Sequence, residues 1–186
     1  MPTVFTHAVA ALGLSTLFYR REVPKGVWAL GAVCSALPDL DVVAFRFGIP
    51  YEDMLGHRGL SHAPAFAAAL AAALIGLFFR RGVRGMGLGT LWLYLFVATA
   101  SHGVLDALTD GGRGVAFLAP FSDERFFFPF QPIAVSPIGF RRFLAGRGRE
   151  VLRSEVLWVW VPAMLLAGAV SVWRWGRRET GPSTAK

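Results

Sequence analysis

Apolar stretches alternate along this chain with short clusters of arginine, proline and acidic residues. The first apolar stretch runs from about Thr6 to Tyr19 and stops at Arg20, Arg21, Glu22 and Pro24. The second, from Gly26 to about Leu37, stops at Pro38. A third spans about Leu60 to Phe79 and is closed by Arg80, Arg81 and Arg84; a fourth covers about Leu88 to Leu108. The last extends from about Glu155 to Trp173 and is followed by Arg174, Arg177 and Arg178. Sustained apolar runs closed by basic residues or proline predict helices. The first two hold about a dozen residues, roughly 18 Å of helix, less than the roughly 30 Å of a bilayer's hydrocarbon core. They are expected to start at one face and stop within the membrane. The alanines of the third permit close helix packing.

Between these runs, Asp39, Asp41, Pro50, Glu52, Asp53, Gly56 and Gly59 interrupt any period and predict a loop over 39–59. Thr109 to about Arg147 predicts a long non-helical connection carrying Phe126-Phe127-Phe128-Pro129-Phe130. Connections of that length serve as lids or binding loops or are disordered, and the aromatic content argues against disorder. The expected fold is all-α: a polytopic membrane bundle of about five helices, with a long Pro/Phe-rich loop between the last two. One membrane-embedded domain over 1–178 and a disordered tail at 179–186 complete the expectation.

Composition sharpens that picture. Of 186 residues, 54% are hydrophobic and 17% charged, too apolar for an ordinary soluble domain. The net charge of +7 comes from arginines at the ends of apolar runs, which suits a membrane surface and gives no reason to expect nucleic acid. One cysteine, Cys34, excludes an intrachain disulfide and a multi-cysteine zinc site. Alternation of five helices puts Arg20–Lys25, Arg80–Arg84 and the C-terminal residues on one side, which the positive-inside rule makes cytoplasmic. The basic residues between Arg141 and Arg153 lie on the other side. Trp28, Trp92, Trp173 and Trp175 fall where an interfacial aromatic belt is expected.

This topology gathers the titratable residues at one end. His7, His57, His62 and His102 all fall on the outward side, with Asp39 and Asp41. His102, Asp106 and Asp110 follow at i, i+4 and i+8, one side of a helix, and a His–Asp pair one turn apart is a compact chelate for a divalent metal. A polar helix end capped by Asp110 and Gly111 is the plainer alternative, but ionisable groups inside an apolar span usually mark function. Asp39 and Asp41 can point at a metal from an extended turn, or Asp39 can simply cap the next segment. In His57-Arg58-Gly59-Leu60-Ser61-His62, Gly59 allows a tight turn and Arg58 offers a fork suited to phosphate. Glu155 is a further ligand candidate or an acid at a helix N-terminus. A set of His, Asp and Glu without Cys suits zinc, manganese or iron, and more than four ligands suggests two or three ions.

Thr6-His7, Pro38-Asp39-Leu40-Asp41, His57 to His62 and Ser101-His102 with Asp106 together resemble the YdjM-like family of bacterial inner-membrane metal-dependent hydrolases. Pro120-Phe121-Ser122 and Ser136-Pro137 add to the likeness. That family is distantly similar to the zinc-dependent phospholipase C and single-strand nuclease superfamily. The resemblance implies His7, Asp39, His57, His62, His102 and Asp106 as metal ligands. It points to a phosphoesterase using a metal-activated water on a lipid or lipid-linked substrate in a bacterial or archaeal inner membrane, the site facing outward. Arg58 is then expected to steady the phosphate, and Asp41 or Asp110 to act as base or to orient a ligating histidine. Phe126–Phe130 would hold the acyl part. A metal-dependent carboxyl-ester or amide hydrolase uses the same site. A non-enzymatic metal-binding or transport protein is the remaining alternative, disfavoured because the inner halves of the helices are apolar.

Overall fold

The computed structural model describes residues 1–137 and 140–179; the expected disordered tail falls, from residue 180 onward, outside them. Helix α1 spans Val4–Phe18 and α2 Lys25–Ala36; a 3-10 helix follows over Leu37–Phe47 and a shorter one over Leu60–His62. Next come α3, Pro64–Phe78, and α4, Leu88–Ala107. Two short helices, α5 (Phe140–Ala145) and α6 (Gly148–Glu155), lead through a π turn at Val156–Trp160 into α7, Val161–Glu179. No strand forms among the described residues; three isolated bridges, two of them in the 109–133 connection, are the only pairing of extended chain there.

The structure departs from the pattern-based expectation in three places. Pro38 does not end the second helical run. It occupies the first turn of the 3-10 helix, where its missing N–H removes no hydrogen bond. That helix continues to Gly48, whose left-handed backbone (φ 74°) closes it with N–H bonds to Ala44 and Phe45. About 18 Å of α-helix plus about 22 Å of 3-10 helix make the second run longer than a hydrocarbon core. The last helical run begins at Gly148 instead of Glu155; its first two turns are mostly polar, with Val151 and Leu152 as their two apolar residues, and so do not extend the apolar run. Trp28 turns inward and packs edge-on against Tyr94, ring centroids 5.1 Å apart, so it belongs to the core and not to an interfacial belt.

Helices α1 and α4 are central: α1 packs on α2, α4 and α7, while α4 packs on α1, α2 and α3. Ala11, Val27, Trp28, Cys34, Ala71, Leu91, Tyr94, Leu95 and Ala98 fill the space between them. Small residues set the approach. A Cβ on Gly103 would stand 2.4 Å from the His62 carbonyl oxygen, so only glycine lets α4 come this close to the turn entering α3. Lys25–Phe47, Leu88–Ala107 and Gly148–Arg177 are long and apolar enough to cross a membrane. Along the last of these, Met164, Leu165, Val172 and Trp173 stay exposed, as lipid-facing side chains do.

Candidate metal centre

His102 and Asp106 stand one turn apart on α4, both fully buried. Around them the 3-10 helix places Asp39, the turn before α3 places His62, and α1 places His7. One ligand atom each from Asp39, His62, His102 and Asp106 lies within 4.8 Å of the others.

The hydrogen bonds fix how these groups face one another. His102 Nδ1 lies 2.7 Å from the Ser35 carbonyl of α2, so that nitrogen carries the proton and donates it, leaving a lone pair on Nε2. His62 Nδ1 lies 2.9 Å from Ser61 Oγ and 3.1 Å from Asp41 Oδ2, so that nitrogen faces its supports and Nε2 is the one turned towards the cluster. These two Nε2 atoms are 3.0 Å apart. Two lone pairs at that distance repel unless a positive charge stands between them.

The carboxylates call for the same charge. Neither Asp39 nor Asp106 accepts a well-aligned hydrogen bond, and both are buried. Arg58 Nε pairs with Asp106 Oδ2 at 2.9 Å, and Asp39 has no guanidinium of its own. An unpaired buried charge is costly enough that it calls for a partner or a metal. Burial by itself would lower the His62 pKa, yet the Asp106 and Asp41 carboxylates outweigh it and push it up to about 9, so without an ion a proton on His62 Nε2 takes the cation's place between the two rings. The pocket thus attracts a cation.

The spacing fits a metal. Ligand atoms about 2.0–2.1 Å from a tetrahedral zinc stand about 3.3 Å apart. Here His102 Nε2–Asp39 Oδ1 and His62 Nε2–Asp106 Oδ2 are both 3.3 Å. The cross distances are 3.9 Å for His62 Nε2–Asp39 Oδ1 and 4.0 Å for His102 Nε2–Asp106 Oδ2. His7 stacks on His102, centroids 3.7 Å apart, with Nε2 3.7 Å from Asp106 Oδ1 and both ring nitrogens unpartnered. Asp106 therefore turns one oxygen towards His62 and the other towards His7.

Asp41 and His57 stand behind this group. On a 3-10 helix of about three residues per turn, positions two apart diverge by about 120°, and Asp41 accordingly faces away from the Asp39 pocket. It takes bonds from His57 Nδ1 (2.6 Å), Ser61 Oγ (2.6 Å) and the Arg58 N–H (3.1 Å), with His62 Nδ1 3.1 Å from its Oδ2. Asp41 is saturated by donors and orients His62, an arrangement known to stabilise metal-ligating histidines. His57, expected as a ligand, bonds Asp41 and meets His62 edge-on at 5.5 Å, and one ligand atom each from Asp41, His57 and His62 forms a second group within 4.8 Å that could hold an ion.

Three expectations need correction. Arg58 is buried, in a left-handed backbone (φ 63°), with Nη1 bonded to the Gly111 carbonyl and Nη2 to Thr109 Oγ1. With Nε on Asp106, every guanidinium nitrogen is engaged, so Arg58 positions Asp106 and has no free edge for a phosphate. Gly112 makes room for it, since a Cβ there would lie 2.7 Å from Nη1. Asp110 is not on α4, which ends at Ala107. Its carboxylate takes the Val135 N–H at 2.7 Å and pairs with Arg147 at 3.3 Å, anchoring the long connection away from the cluster. Glu155 is buried under the start of α1, where it accepts bonds from Thr3 N, Thr3 Oγ1 and Thr6 Oγ1 at 2.5–2.7 Å; it is a helix-start acid, but of α1 and not of its own helix.

Sequence reasoning missed the supports: the Ser35 carbonyl, Thr109, the Gly111 carbonyl, and Arg125. Arg125 bonds the carbonyls of Tyr51, Asp53 and His57 and holds the 51–57 loop against the cluster. Main-chain acceptors leave no residue-type signal. The long connection is ordered around this contact: Val115 and Phe126 exchange both backbone bonds, and Ala116 N–H reaches the Arg58 carbonyl. Phe126, Phe127 and Phe128 line a groove of about 590 Å³ with Pro64, Val104, Phe117 and Leu118, which includes none of the cluster's side chains.

Residues 1–178 match the family described as YdjM inner membrane protein. Over 179 residues the chain is 42% identical to Inner membrane protein YbcI of Escherichia coli (strain K12), an alignment covering 96% of this chain and all of that protein. No solved structure matches it.

Proposed function

Since the chain belongs to the YdjM inner membrane protein family, we propose that its buried cluster makes it a membrane-embedded, metal-dependent hydrolase of a lipid or lipid-linked phosphoester. The observation that carries this reading is the pair of Nε2 atoms facing each other 3.0 Å apart, between two buried carboxylates that accept no well-aligned hydrogen bond. Asp39, His62, His102 and Asp106 would hold the ion, and a two-nitrogen, two-oxygen set of near-tetrahedral spacing suits zinc best, ahead of manganese or iron. A divalent cation there supplies Lewis acidity towards a phosphoryl oxygen and a water nucleophilic at neutral pH. His7 and Asp106 would be the residues to hold a second ion.

The chain's own residues set the geometry. The Ser35 carbonyl holds the His102 ring, Asp41 holds His62, and Arg58 holds Asp106 while neutralising one of the two carboxylates. These contacts keep the Nε2 nitrogens and carboxylate oxygens turned inward before any ion arrives. The parallel with zinc-dependent phospholipases C rests on this ligand chemistry. The Arg20–Lys25 and Arg80–Arg84 turns lie at the helix ends opposite the cluster, and we assign them to the cytoplasm, which faces the site outward.

Elemental analysis of the detergent-purified chain, with turnover of phospholipid and polyprenyl phosphate, tests the reading. A stoichiometric transition metal and hydrolysis lost in His102→Ala are expected. Absence of metal after zinc loading, or full turnover by His102→Ala, refutes it; cleavage of carboxyl esters alone moves the reaction to the other hydrolase class.

A further inference from the structure

The ion-holding side chains are sealed almost completely. His7, His62, His102 and Asp106 have no accessible side-chain surface, and Asp39 alone of this group keeps 6%. Whatever reaches the ion therefore comes past Asp39. That carboxylate lines a groove of about 510 Å³ between the start of α1 and the α2–3-10 run, with Val4, Val33, Ala36, Leu37 and Leu40 among its walls. Asp39 and the Met1 α-amino group are the ionisable groups in the lining, and Val33 and Leu40 are 60% and 66% exposed. Both sit on Lys25–Phe47, a run long and apolar enough to span a membrane, so the mouth of the groove lies on a lipid-facing flank.

We propose that substrate enters this groove sideways from the bilayer, one acyl chain of a membrane lipid lying along Val33 and Leu40 while its phosphoester reaches the ion beside Asp39. The assignment of the headgroup end rests on the hydrolase reading above. A water-soluble ester would have to shed its hydration to follow an apolar wall, whereas a lipid chain is already in that medium. The groove, not the aromatic one formed by Phe126–Phe128, is then the acyl site, because only the former includes a cluster residue.

The test fills each groove in turn, with Val33→Trp on one side and Leu118→Trp on the other; both side chains are exposed, so neither change disturbs the core. The full-length chain is reconstituted in phosphatidylglycerol vesicles doped with a phosphatidylglycerol carrying a photoreactive group on one acyl chain. With zinc present, labelling is expected at Val33 and Leu40, falling about tenfold in Val33→Trp or on chelation and unchanged in Leu118→Trp. In parallel, Val33→Trp should raise KM for dioleoyl phosphatidylglycerol by about tenfold and leave that for the dibutanoyl analogue unaltered. Labelling that ignores zinc and Val33→Trp, or that is lost only in Leu118→Trp, overturns the proposal while leaving the hydrolase reading intact. Zinc-dependent labelling without turnover of either lipid instead keeps the groove and removes the hydrolase.

Discussion

Replacing Arg58 by glutamine tests the charge balance of the cluster. In the native chain its guanidinium stands 2.9 Å from Asp106 and donates to the Gly111 carbonyl and Thr109 Oγ1. Glutamine keeps a hydrogen-bonding end but loses the charge, leaving the buried Asp106 carboxylate without the guanidinium that pairs with it. Removing one partner of a buried ion pair costs about 3–5 kcal/mol. At about 1.4 kcal/mol per tenfold, the lower bound already raises the opened population about 100-fold. The chain carries its own reporter. Cys34, its one cysteine, is buried in the core and adjoins Ser35, whose carbonyl holds His102. Its reaction with a thiol dye in detergent follows the opened population when closing is fast. Labelling in chelator should be about 100-fold faster in Arg58→Gln, and adding Asp106→Asn to the same chain should recover most of the loss. If the double variant labels as fast as Arg58→Gln alone, the penalty does not come from the orphaned carboxylate, and the assignment of Arg58 as its counterion is wrong.

Other outcomes follow from the same geometry. Chelation of the native chain should speed Cys34 labelling and zinc should reverse it, by about 100-fold at a free zinc of about 100 times Kd; an unchanged rate would mean that no ion sits between α4 and its neighbours. Asp41→Asn, which withdraws the carboxylate behind His62, should weaken zinc binding by about 10- to 100-fold with the fold retained, measured by competition with a zinc-sensitive dye. Asp110→Ala should cost no more than about 1 kcal/mol and leave metal content and turnover as they were, since its partners are Val135 and Arg147 at a half-exposed position. Loss of turnover with metal still bound would return Asp110 to the chemistry.

What could be read along the chain is what depends on period and residue type. Long apolar runs punctuated by arginine gave the all-α membrane bundle, and the spacing of His102 and Asp106 placed both on one face of α4 because one helical turn separates them. The fate of neighbours only a few residues away was decided in three dimensions. Asp39 enters the cluster and Asp41 leaves it because an unforeseen 3-10 helix turns them apart. Asp110 drops out because α4 ends three residues earlier, and Arg58 is consumed by Asp106 and two acceptors that lie more than fifty residues downstream. Residue types bound the chemistry to histidine and carboxylate. Only the packing of α1, α2, α4 and the turn before α3 decided which lone pairs face each other, because that depends on contacts between segments whose separation along the chain carries no trace of their distance in space.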